Sequence, residues 1–125
     1  MQASEARKEL TDTLIWELER TIAKSIEYGS WDLKVMGAMM LELLPDGVIQ
    51  GKPNPEEVEA HGQLMAIAFY QFGKIARVWS ALIRGSLPAK DSQEDIRVYS
   101  QMFDWIITHG EWRIEPDDQA NGDNR

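Results

Sequence analysis

The chain has 125 residues, 43% of them apolar and 27% charged, the balance of one folded globular domain and not of a disordered segment. It contains no cysteine, which excludes a disulfide framework, thiolate metal sites and a cysteine nucleophile, and two histidines are too few for a histidine-rich metal centre. A net charge of −8 argues against general nucleic-acid binding, because phosphate contacts need clustered Lys and Arg.

The pattern predicts four helices. The first runs over 4–28, with Leu10, Leu14, Ile15, Leu18, Ile22 and Ile26 at three- and four-residue steps that place them on one face. Gly29 is its expected stop and Ser30 the expected N-cap of the second helix. That second helix, reaching Pro45, is apolar nearly all round: Leu33, Val35, Met36, Met39, Met40, Leu41, Leu43 and Leu44 leave only Asp32, Lys34 and Glu42 charged. Such a helix is expected either at the centre of the domain or at a subunit interface, and Gly37 and Ala38 allow another helix to approach closely. Pro45-Asp46-Gly47 reads as a turn and 48–54 as a loop.

Asn54-Pro55-Glu56-Glu57 is a strong helix start, with Asn as cap and Pro at the first helical position. The third helix then carries a stripe expected to be core: Met65, Ala68, Phe69, Phe72, Ile75, Ala76, Trp79, Leu82 and Ile83. Gly62 is an expected kink, and Gly85 and Pro88 mark the end. The fourth helix is expected to open on a capping box at Asp91-Ser92-Gln93-Glu94 and to stop at Gly110. Its inner stripe is Ile96, Tyr99, Met102, Phe103, Ile106 and Ile107. Residues 111–114 read as a short extended strap, and 115–125 as a disordered acidic tail after a single helical domain at 1–114. The class is therefore all-α, a four-helix bundle-like domain.

Three clusters could carry chemistry. Glu56 and Glu59 share a helix face, and Glu57 shares another with His61; carboxylates so spaced can hold Mg²⁺, although acids also simply favour a helix's first turn. Glu94, Asp95 and Asp104 form a second group, explained as well by capping and by ion pairs with Arg84 or Arg97. Lys74, Arg77 and Arg84 fall on one side of the third helix and could receive a phosphate, or form a solvated face. Of five tryptophans, Trp79 lies on the core stripe, whereas Trp16 and Trp105 lie off the main stripes, where Trp more often marks a contact surface. There is no Gly-rich phosphate loop, GxSxG or HExxH.

The runs His61-Gly62, Phe72-Gly73-Lys74-Ile75-Ala76-Arg77-Val78-Trp79-Ser80-Ala81 and Ser92-Gln93-Glu94-Asp95-Ile96 resemble small phage-encoded helical proteins similar to the MazG-like all-α nucleoside triphosphate pyrophosphatases. The resemblance spans about residues 56–107. It implies a Mg²⁺-dependent hydrolase in which Glu56, Glu59 and Asp95 hold metal, metal activates water, and Lys74 and Arg77 grip phosphate oxygens. It also implies a dimer or tetramer. Position 60 is alanine where the family pattern carries an acid, and no ExxD follows at the family distance.

The competing expectation is a non-catalytic, homo-oligomeric helical module that binds or inhibits a protein partner or sequesters a nucleotide-like ligand, its negative charge presented to a basic site. Met1 to Leu10 is polar, and Glu42, Lys74 and Arg77 break the apolar stretches far short of the ~20 residues a membrane helix needs. No membrane contact is expected, and the expected location is the cytoplasm of a cell or of an infected host.

Overall fold

A computed structural model describes residues 1–28, 31–45, 49–51 and 54–117, the side chains of 24, 27 and 28 lying outside that description. It contains α1 (Ala3–Tyr28), α2 (Trp31–Glu42), α3 (Pro55–Ile83) and α4 (Lys90–His109), packed against one another as an all-α bundle. The expected stop at Gly29, the cap at Ser30, the turn at 46–47 and most of the tail lie outside the described residues.

Local chemistry sets the ends of α3 and α4. The Asn54 side chain accepts from the Glu57 N–H at 2.9 Å, with Pro55 opening the helix where its missing N–H costs nothing. Gly85, just past α3, and Gly110, which caps α4, both hold positive φ, +76° and +88°. Two local expectations are corrected. Gly62 does not separate the first turn of α3, which is one helix from 55 to 83. The α4 capping box does not form: the cap is Ala89, with no side-chain bond, and Glu94 is drawn to Arg20 instead, at 3.4 Å.

The core lies where α2, the first half of α3 and the second half of α4 meet. Leu33, Ala66, Ile67, Ile106 and Trp112 are buried there, with Met36, Met40, Leu64, Tyr70 and Phe103 packed around them. Full burial of Ile67 and Ile106 is worth about 1.5–3 kcal/mol each. The 111–114 strap closes this core as expected. Trp112 is buried and stands edge-on to Trp105 at 6.0 Å, and its backbone N–H donates to Oε1 of the fully buried Gln63.

Two apolar stripes do not serve as core. On α3, Phe69, Phe72, Ile75, Trp79, Leu82 and Ile83 are 43–78% exposed. The face of α3 turned to the protein instead carries Gly62, Gln63, Ala66, Ile67 and Ala81. On α1, Leu10, Leu14, Ile15, Leu18 and Ile26 are also exposed, whereas the buried positions are Glu17, Thr21 and Ser25. The stripes are real in their helical period; the chain itself leaves them uncovered. α2 is covered on one side only, with Leu33 and Gly37 buried and Val35, Met39 and Leu43 exposed.

Candidate functional site

The expected metal set is not brought together. Lys34 binds Glu111 at 2.9 Å and Glu59 at 3.6 Å, and Lys74 binds Asp95 at 2.8 Å. Lys74 lies fifteen residues beyond Glu59, about 22 Å along a helix. Glu59 and Asp95 therefore mark separate ends of the domain, and Glu56 stays exposed at the start of α3. Among the described residues no three His, Cys, Asp or Glu side chains group closely enough to hold a metal ion. Glu56, Glu59 and Asp95 therefore do not share one centre. His61 is exposed, and its Nδ1 lies 2.6 Å from the Glu57 carbonyl oxygen.

The basic strip is likewise divided. Lys74, Arg77 and Arg84 share a side of α3, as their spacing requires. Lys74 is neutralised by Asp95, and the Arg84 guanidinium bonds the Ser80 hydroxyl one turn back. Arg77 is exposed beside an apolar groove bordered by Phe69, Phe72 and Tyr99. Arg97, an expected partner of Asp95, bonds Glu17 instead: its Nε donates to both carboxylate oxygens, at 3.1 and 3.0 Å. The guanidinium holds the Glu17 carboxyl below the usual glutamate range against the opposing effect of burial.

The structure does form a cleft of about 370 Å³ between the second half of α1, the start of α2, the middle of α3 and α4. Its apolar wall is Leu33, Val98, Met102 and Trp112. Tyr70 from α3 and Tyr99 from α4 stack across it, ring centroids 5.6 Å apart and planes 30° apart. Burial raises both phenols above the ordinary tyrosine value; for Tyr70 the neighbouring Tyr99 and Asp32 add to the rise, and for Tyr99 Asp95 does. Both are therefore neutral hydroxyls at neutral pH.

The polar rim is uneven. Arg20 is held by Glu94 and lies over Trp16, 5.4 Å from the ring centre. Thr21 donates to the Glu17 carbonyl at 2.8 Å, and Asp95 is paired with Lys74. Asp32 has no basic partner among the described residues, and Ser25, 4% exposed, has a buried Oγ without a hydrogen-bond partner.

No family model, curated protein or solved structure matches this chain. The likeness to MazG-like enzymes therefore rests on the quoted motifs alone, and function has to be read from the geometry.

Asp95 and Tyr99 stand one turn apart on α4 and both line this cleft, the one spacing in the sequence that joins two of its residues. Ser25, Asp32, Tyr70 and Trp112 come from separate elements with no shared period, so no pattern linked them.

Proposed function

We propose that the chain is a non-catalytic, self-associating helical module in which a second copy covers the outer face of α3. The carrying observation is the stripe from Phe69 to Ile83. Six large apolar side chains, of about 150–250 Å² each and 43–78% exposed, present on the order of 700 Å² of unpartnered surface. That approaches the ~800 Å² each partner contributes to a standard protein interface, and exceeds the largest apolar patch of a typical monomer. Surface area argues the same way. A compact 14.3 kDa monomer exposes roughly 6,800 Å², and this chain exposes 9289 Å².

A second copy suits this face better than a charged partner does. The arc from Phe69 through Phe72, Ile75, Trp79 and Ile83 holds no charge; Arg77 and Arg84 flank it on the Phe69 edge, and Lys74 lies farther round the helix. A two-fold contact of this stripe with itself meets no like charge at its centre.

Light scattering at tens of micromolar tests the proposal. The wild type is expected at twice 14.3 kDa or more. Phe72→Glu with Trp79→Glu is expected at 14.3 kDa with its helical spectrum kept, since both side chains are exposed in the single chain. A wild type that stays at 14.3 kDa overturns the proposal.

A further inference from the structure

We propose that the cleft between α1, α2, α3 and α4 binds a small organic amine with an aromatic or branched apolar body, its ammonium held by Asp32 and the Ser25 and Tyr70 hydroxyls. Volume and lining set the class of ligand. About 370 Å³ lies in the range of small-molecule sites, and the wall of Leu33, Val98, Met102 and Trp112 suits an apolar body.

Charge selects a cation. Arg20, the basic group of the rim, is already engaged by Glu94 and Trp16, and Asp95 is satisfied by Lys74. Asp32 is the carboxylate left without a basic partner among the described residues. An anion entering here would meet Asp32 and Asp95 in a chain of net charge −8. A cation meets the Asp32 carboxylate beside a wall that includes Tyr70, Tyr99 and Trp112, whose rings attract an ammonium.

Hydrogen bonding points the same way. A buried hydroxyl without a partner is costly, and native structures seldom leave one without a role. The Ser25 Oγ is such a group, 4% exposed and lining the cleft. An ammonium carries three donors and no acceptor. Asp32, Ser25 and the Tyr70 phenol offer three acceptor oxygens on the cleft wall.

Calorimetric titration of the full chain at neutral pH compares benzylamine, benzyl alcohol, benzoate and ATP with Mg²⁺. Benzylamine is expected to bind at least about tenfold more tightly than benzyl alcohol, as a charge-assisted contact should, with benzoate weakest. Asp32→Asn is expected to remove the preference for amine over alcohol. Ser25→Ala is expected to weaken amine binding several-fold. Both variants should keep the wild-type helical spectrum, and the Trp112 indole N–H resonance should be the tryptophan signal that moves most on titration. Equal binding of amine and alcohol overturns the proposal, as does an unchanged preference in Asp32→Asn or no amine binding at millimolar concentration. Tighter binding of ATP or benzoate, lost in Arg20→Ala, overturns it in favour of an anion site. Because Asp32 and Ser25 belong to α2 and α1 and not to the α3 stripe, their variants read amine binding separately from association.

Discussion

Gly37 and Gly62 bring α2 and α3 together backbone to backbone. A Cβ on Gly37 would stand 2.7 Å from the Gly62 carbonyl carbon, and one on Gly62 would stand 2.8 Å from the Gly37 carbonyl oxygen. Neither neighbour is a side chain that can swing aside, so Gly37→Ala or Gly62→Ala should cost about 3 kcal/mol. Gly73 makes the contrast: it sits within α3 with nothing near its missing Cβ, so Gly73→Ala should stabilise by about 0.5–1 kcal/mol. Urea midpoints of the three variants check both signs. Gly37 was legible in the sequence as a point of close approach. Gly62 was not, because an isolated glycine in a helical pattern signals a bend as readily as a contact, and only the partner helix decides between them.

At the scale of the element, α1 is the unusual helix. It docks on α4, and its buried positions are polar, Glu17 in the ion pair with Arg97 and Thr21 bonded to the turn before it. Its attachment should therefore respond to acid. The Glu17 carboxyl has a lowered folded-state pKa, so the unfolded or undocked state binds more protons and stability rises with pH through this window. The contribution is complete above the ordinary glutamate range and is lost as pH falls through the lowered value. Amide exchange should show protection over residues 17–25 collapsing under acid before the α2–α3–α4 core opens. In Arg97→Met the same segment should already be less protected at neutral pH, by ~2–3 kcal/mol, since Glu17 is 1% exposed and would be left unpaired while the half-exposed arginine tempers the loss. If residues 17–25 exchange at the same rate in both proteins, the pair does not dock the helix. The sequence showed the helix, its length and the sharing of a face by Leu10, Leu14 and Leu18. It did not show which face the rest of the chain would meet, because a 3.6-residue period identifies neighbours on a helix and is silent about what lies opposite. The same reason explains why Trp79, expected in the core, stands outside it, and why Glu59 and Asp95, both acidic and both on expected faces, never meet.

For the whole molecule, the class, the four helices and the closing strap were readable from period and caps, because those are local properties of the chain. Which apolar stripes the single chain buries was not, since burial by a second chain would leave the same pattern in a sequence as burial within one. The proposed assembly has an optical consequence that follows from where the tryptophans sit. Trp112 is buried within the single chain and contributes a constant signal, whereas Trp79, at the middle of the α3 stripe, is 65% exposed. Its indole passes from water to an apolar contact when two copies meet. Intrinsic fluorescence should therefore shift to the blue as the protein is concentrated, and a Trp79→Phe variant, which keeps an apolar ring in the contact, should associate with most of that spectral shift gone. The chain thus carries its own dye at the seam between copies, and a dilution series in a fluorimeter reads the association constant without a label.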